Sequence, residues 1–171
     1  MVEREGPLTV RAADTARCAE VQLAILPPMT RLIIQGDAQS VASLGLAVPT
    51  TCCATTDAKR SLLWLGPDEF LLLLPAEAPF TMELPNVVDV SHRDTGLVIS
   101  GPRAAWAINA FCALDLHPSA FPIGRCARTL FGKAGILLWR THIDTFRIDV
   151  ARSFAPYVWD CLEEARREFL A

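Results

Sequence analysis

The sequence predicts an α+β fold made of two copies of one β-β-α-β-β type unit, related by pseudo-twofold symmetry, with mostly antiparallel sheets and a long C-terminal helix. Two internal echoes carry the duplication. Leu32-Ile33-Ile34-Gln35-Gly36-Asp37-Ala38 returns 65 residues later as Leu97-Val98-Ile99-Ser100-Gly101-Pro102-Arg103. Leu62-Leu63-Trp64, followed by Asp68-Glu69-Phe70-Leu71, returns as Leu137-Leu138-Trp139, followed by Asp144-Thr145-Phe146-Arg147, at offsets of 75 and 76. A third observation is the order of elements: in each copy, short apolar runs precede one helix signal and a hairpin follows it. Half-units of this kind cannot bury their faces alone, so the two copies should pack on each other.

The elements follow in order. Residues 1–19 read as a loosely ordered N-terminal arm, ahead of one domain over 20–171 whose repeats span about 20–75 and 86–171. Val21 to Leu26 alternates as a strand does, and Pro27-Pro28 stops it. Arg31 to Gln35 is a second strand. Asp37 then caps a helix reaching about Leu44, which Gly45 closes. Ser61 to Leu65 and Glu69 to Leu74 form a hairpin through Gly66-Pro67-Asp68. In the second copy, Val87 to Ser91 and Gly96 to Ser100 are strands. Gly101-Pro102 opens a helix to about Phe111, with Pro102 at its first position. Cys126 to Phe131, Gly135 to Trp139 and Thr145 to Val150 are strands. Ser153 caps the last helix, and Pro156 sits in its first turn. Phe154, Val158, Cys161, Leu162, Ala165 and Phe169 form its apolar stripe; Asp160, Glu163, Glu164, Arg166, Arg167 and Glu168 form its wet face. The copies differ after their hairpins: Pro75 to Pro85 holds three prolines where the second copy has the long helix.

Composition narrows the function. A chain of 171 residues, 51% hydrophobic and 20% charged, builds a core without staples. A net charge of −3 offers no basic stripe for nucleic acid. Apolar runs such as Phe70 to Leu74 are far too short to span a membrane, and the charged start of the chain is not a signal peptide. A mean hydropathy of +0.30 is high for a soluble monomer and hints at surface covered by a partner. Cys18, Cys52, Cys53, Cys112, Cys126 and Cys161 contain no Cys-x-x-Cys and read as reduced thiols of a cytoplasmic protein.

The reactive residue types form no catalytic pattern. Ser91-His92-Arg93-Asp94 is contiguous on a strand end, so its side chains splay to alternate faces, whereas a triad is assembled from separate elements. His117 and His142 show no evident partner, and no phosphate-cradling glycine motif exists. Arg125, Arg128, Arg140, Arg147 and Arg152 either grip an anionic ligand or a partner's carboxylates, or are ordinary surface charge. Trp64 and Trp139 occupy matching repeat positions and are expected in the core. Trp106 and Trp159 fit core or interface equally. The sequence therefore names no catalytic, cofactor-binding or metal-binding residue.

Several segments taken together resemble one family. They are Leu65-Gly66-Pro67-Asp68-Glu69-Phe70-Leu71-Leu72, Val88-Asp89-Val90-Ser91-His92-Arg93, Ser100-Gly101-Pro102-Arg103-Ala104, Leu114-Asp115-Leu116, Phe121-Pro122-Ile123-Gly124 and Arg152-Ser153-Phe154-Ala155. In this order, over about residues 20–171, they resemble the gamma subunit of heterotetrameric sarcosine oxidase, which is related to the folate-binding domain of the glycine-cleavage T-protein. The resemblance implies a T-protein-like fold in a cytoplasmic complex of sarcosine catabolism and one-carbon metabolism. That complex converts sarcosine, tetrahydrofolate and O2 to glycine, 5,10-methylenetetrahydrofolate and H2O2. It implies direct docking on the alpha subunit, with beta and delta completing the assembly. FAD, FMN, NAD, zinc and tetrahydrofolate are then expected in those partners and not in this chain. T-protein-like enzymes carry a Gly-Gly-x-x-Asp-Asp pattern on the strand matching Ala134-Gly135-Ile136-Leu137-Leu138-Trp139. Here Leu137 and Leu138 stand in place of the acids, and leucine can neither orient an amine nor move a proton. The resemblance thus implies a non-catalytic, structural subunit. The alternative is a free-standing tetrahydrofolate-binding protein or aminomethyltransferase-like enzyme; a third reading is an interaction domain of another oxidase complex.

Overall fold

The structure, a computed structural model, describes residues 6–8, 11, 18–57, 59–76 and 86–170. Its strands are β1 (Gln22–Ile25), β2 (Met29–Gln35), β3 (Ala54–Thr56), β4 (Ser61–Gly66), β5 (Glu69–Pro75), β6 (Val87–Asp89), β7 (Asp94–Ser100), β8 (Cys126–Phe131), β9 (Ala134–His142) and β10 (Thr145–Ala151). Its helices are α1 (Ala38–Ala42), α2 (Ala104–Asn109) and α3 (Ala155–Arg166), which a 3-10 turn over Arg167–Phe169 extends.

All pairings are antiparallel, and they build two five-stranded sheets. One runs β1-β7-β10-β9-β8 and the other β6-β2-β5-β4-β3. Raising each strand number in the second sheet by five, and folding β6 back to β1, yields the first. The ladders repeat as well: Gln35 faces Glu69 as Ser100 faces Thr145, and Leu63 faces Ala54 as Trp139 faces Cys126. The α+β duplication read from the sequence is therefore present in topology and register. The first strand of each copy, however, joins the other copy's sheet.

Successive strand residues point to opposite faces, so each sheet feeds two cores. Leu97, Ile99, Ile136, Leu138, Phe146, Ile148 and Val150 meet α2 and α3. Leu32, Ile34, Leu62, Phe70, Leu72 and Leu74 meet Val41 of α1. Ile33, Leu63, Leu71, Leu73, Cys126, Leu137 and Trp139 fill the layer between the sheets. Helix, sheet, sheet and helix are thus stacked. At one edge the sheets touch: Cys126 donates its amide to Cys52 and Ala54 donates to Gly124, around an isolated bridge between Cys53 and Arg125.

Several local expectations hold. Asp37 caps α1 by accepting from the amides of Gln39 and Ser40 at 3.1 Å. Gly45 follows in the left-handed region, and Pro156 lies in the first turn of α3. Others need correction. β3 was not expected, since Ala54–Thr56 is three residues long and lacks an apolar run. Pro102 lies in a turn before α2, whose N-cap is Arg103, and α2 ends at Asn109 rather than Phe111. Phe154, not Ser153, is the N-cap of α3, and no side chain caps it. Phe154 is exposed, and Trp159 takes its place in the buried stripe. Arg166, expected on the wet face, is buried with its Nε 2.7 Å from Glu163. The N-terminal arm is not loose where described: Leu8 and Cys18 join the core, and Arg11 pairs with Asp160. The contrast expected at Pro75 to Pro85 falls almost wholly outside the described residues.

The tryptophan echo is also corrected. Trp64 faces Phe70, but the counterpart of Phe70, Phe146, faces Arg140. Trp139 is therefore the counterpart of Leu63, one residue away from the match read in the sequence. A slip of one residue exchanges faces. Trp64 packs on the α1 side and Trp139 between the sheets.

Gly101 ends β7 with φ of +118°, and a Cβ there would strike the backbone carbonyl of Glu20. Gly101→Ala is expected to destabilise the fold by about 1–3 kcal/mol through strain and this fixed clash. Urea unfolding of the variant, read as a lowered midpoint at unchanged m-value, checks it.

Candidate functional site

Among the described residues, the layer between the sheets is apolar apart from one deeply buried charged cluster and the more exposed Arg128–Glu69 pair. The cluster lies on two strands. Arg31 of β2, and Arg147 and Asp149 of β10, are all buried there. Their positions follow from strand period: Arg31 and Ile33 share a face of β2, as Arg147 and Asp149 share a face of β10. Asp149 Oδ1 accepts from Arg31 Nε at 3.1 Å and from Arg31 Nη2 at 3.0 Å, joining one sheet to the other. Arg147 donates from Nε to Asp149 Oδ2 at 2.6 Å and from Nη2 to Oδ1 at 2.9 Å. Arg31 Nη1 also reaches the Met29 carbonyl, and Arg147 Nη1 contacts the Met29 thioether.

Two cavities flank this cluster. One, of about 370 Å³, is lined by Arg31, Ser91, His92, Asp94 and Arg152 beside an apolar wall from Ile25 to Pro28. The other, of about 300 Å³, is lined by Asp149, Leu137, Ile33 and Leu71, with Arg93 and Arg128 among its charged groups. Arg128 pairs in fork geometry with Glu69, at 2.6 and 2.8 Å, and this holds the Glu69 carboxyl below its ordinary range.

The four-residue run at 91–94 does not assemble into a triad. Ser91 donates its hydroxyl to Asp89 at 2.5 Å and accepts the Arg31 amide. The Ser91 bonds hold the Asp89 carboxyl below its usual range. Arg93 and Asp94 pair with each other. The two remaining histidines do have partners, both local: His117 Nδ1 lies 2.7 Å from Ser119 Oγ and His142 Nδ1 lies 3.3 Å from Thr141 Oγ1. Both are exposed, so neither is set for proton transfer in a shielded site.

The five arginines of the second half divide, Arg125 forming the isolated bridge to Cys53 where the sheets touch. Arg140 is structural: buried, stacked over Phe146, it donates to the carbonyls of Leu116, Phe121 and Ile143. Arg147 belongs to the buried cluster and Arg128 to the Glu69 pair. Arg152 lines the larger cavity. Sequence reading missed Arg31 and Asp149. The available signal was a charge at an inward position of an otherwise apolar strand, in Arg31-Leu32-Ile33-Ile34 and in Phe146-Arg147-Ile148-Asp149-Val150.

Leu137 and Leu138 sit on opposite faces of β9, the first between the sheets and the second against the helices. Both are hydrocarbon in packed surroundings and cannot serve as an acid–base pair. All six cysteines are free. Burial, with Cys53 and Cys52 adding to it, pushes the Cys126 thiol up to about 12. Among the described residues no group of His, Cys, Asp and Glu could hold a metal ion, and no helix is long and apolar enough to cross a membrane.

Comparison with known proteins gives a consistent result. Residues 35–168 match the model of the sarcosine oxidase, gamma subunit family. The chain is 31% identical to sarcosine oxidase subunit gamma of Corynebacterium sp. (strain U-96), covering 99% of this chain and 85% of that protein. It is 32% identical to the same subunit of Arthrobacter sp., covering 78% and 71%. Among solved structures, a chain of heterotetrameric sarcosine oxidase from Corynebacterium sp. U-96, in complex with pyrrole 2-carboxylate, superposes with a TM-score of 0.86 at 30% identity, covering 98% and 97%. The glycine cleavage system aminomethyltransferase T from Bartonella henselae superposes with a TM-score of 0.62 at 15% identity over 85% of this chain and 46% of that one, which shows a shared fold.

Two outcomes follow from the site. Asp149→Asn strands two buried guanidiniums and is expected to cost about 3–5 kcal/mol, measured by urea unfolding. Cys126, mostly thiol at neutral pH, is expected to be the slowest of the six cysteines to react with iodoacetamide, as mass spectrometry of timed samples would show.

Proposed function

The chain belongs to the sarcosine oxidase gamma subunit family, and from that premise we propose that it is the non-catalytic gamma subunit of a heterotetrameric sarcosine oxidase. It docks directly on the alpha subunit, with beta and delta completing the complex. The complex oxidises sarcosine with O2, releases H2O2 and passes the methyl carbon to tetrahydrofolate. FAD, FMN, NAD, zinc and tetrahydrofolate are held by the partners, in the cytoplasm.

The observation that carries this reading is the near end-to-end superposition on a chain of the solved heterotetramer, at a TM-score of 0.86. Two features support it. The strand that bears acids in T-protein-like enzymes is filled here with packed leucine, so a folate-transfer role does not fit the residues present. Large apolar side chains also stand in solvent, including Trp106, Leu130, Ile123 and Ile143. Trp106 is held edge-on by Phe169, with ring centroids 5.1 Å apart, as a rigid anchor would be.

Co-expression of the tagged chain with the other three subunits of the same organism tests the proposal. The expected result is a stoichiometric complex with sarcosine-dependent H2O2 production, while the chain alone shows neither flavin absorbance nor turnover. Failure of the chain to co-purify with its partners would overturn it. Saturable tetrahydrofolate binding by the isolated chain would favour the free-standing folate-protein reading instead.

A further inference from the structure

The charged cluster between the sheets is unbalanced. Arg31 and Arg147 carry two positive charges and share one carboxylate, Asp149. A buried site seldom keeps a net charge without a counter-ion, since desolvation is left uncompensated. The larger cavity, of about 370 Å³, opens beside this excess. Arg152 lines it too, half-buried, and its guanidinium makes no ion pair or hydrogen bond among the described residues. Asp94 is the single carboxylate on that wall among the described residues, and Arg93 already engages both its oxygens, at 3.2 and 3.1 Å. Ser91 is committed to Asp89 and to the Arg31 amide, and His92, exposed, adds no negative charge. The rest of the wall is mainly apolar: Leu8, Ile25, Leu26, Pro27 and Pro28.

We propose that this cavity binds a small organic carboxylate, its anionic end on Arg152 and facing Arg31, its apolar body against Leu26 and Pro27-Pro28. Guanidinium presents paired donors that match a carboxylate, and the cavity is at the lower end of the roughly 300–1,000 Å³ range of ligand pockets. A free molecule is favoured over a partner's side chain because the apolar wall extends beyond the reach of one carboxylate group. The site is argued from this chain's own residues and not from the subunit role.

Benzoate and benzamide, alike in shape and different in charge, are the probes. Titrated into the 15N-labelled full chain, benzoate is expected to saturate shifts of the Thr95, Gly96 and Arg152 amides, and benzamide to leave them unmoved. Arg152→Gln is expected to weaken benzoate at least tenfold, and Arg167→Gln, at the exposed end of the chain's last helix, to leave it unchanged. Equal binding of benzamide and benzoate overturns the proposal, as does an unaffected R152Q. Benzoate binding lost in the assembled complex would also overturn it, assigning the charge to a partner's carboxylate.

Discussion

The exchange of first strands is the constraint on which the structure rests. β1 lies in the first copy and pairs with β7 of the second; β6 lies in the second and pairs with β2 of the first. Neither copy owns a complete five-stranded sheet. The layer between the sheets is thus obligatory, because separating the copies would strip a strand from each. The exchange covers the long edges of β7 and β2 and leaves the short β1 and β6 outermost in their place, and short edge strands are lesser aggregation hazards. It also brings β2 and β7, each carrying an exchanged partner, to equivalent places in the two sheets.

Equivalence in backbone is where equivalence ends. The position matching Arg31 in the second copy is Gly96, and a Cβ built there would come within 3.0 Å of the Arg31 Nη2. The glycine makes room for the guanidinium of its own counterpart. On the neighbouring strands, Leu71 and Leu73 match Arg147 and Asp149. One copy therefore supplies hydrocarbon where the other supplies ions. Among the described residues, Arg128 to Glu69 joins the sheets at a more exposed place, while Arg31 to Asp149 is the fully buried contact of opposite charge across the layer. Such a bond contributes little net stability once desolvation is counted, but its direction is specific. It holds β2 and β10 in one relative register, which a purely apolar layer of leucines would specify less well.

Much of the fold was legible because it is written in period-two alternation and in turn residues. Cys126 to Phe131 was read with its observed ends, and the Gly66-Pro67-Asp68 hairpin lies where its turn chemistry put it. What failed did so for physical reasons. β3 is stabilised by ladder bonds to β4, not by its own residues, so Ala54–Thr56 carries no local signal. The tryptophan echo misled because the hairpins bulge at different places, between Trp64 and Gly66 in one and between Thr145 and Phe146 in the other. A displaced bulge shifts identical letters onto opposite faces. Ser153 is a good capping residue, but the backbone reaches helical angles one residue later, at Phe154. The site was the least legible part. Arg31 and Asp149 are 118 residues apart, and nothing local marks them as partners.

Strand exchange also has a consequence for how the chain is made. A ribosome releases β1 first, yet its pairing partner, β7, emerges only after Asp94. Between those moments β1 and the edge of β2 lack their final neighbours, while β4 and β5 can already zip as a local hairpin. Contacts that close so late in sequence slow folding, and the intermediate presents apolar strands to its surroundings. The nascent protein is committed to waiting: its first half can be synthesised, but not finished, until the second half arrives.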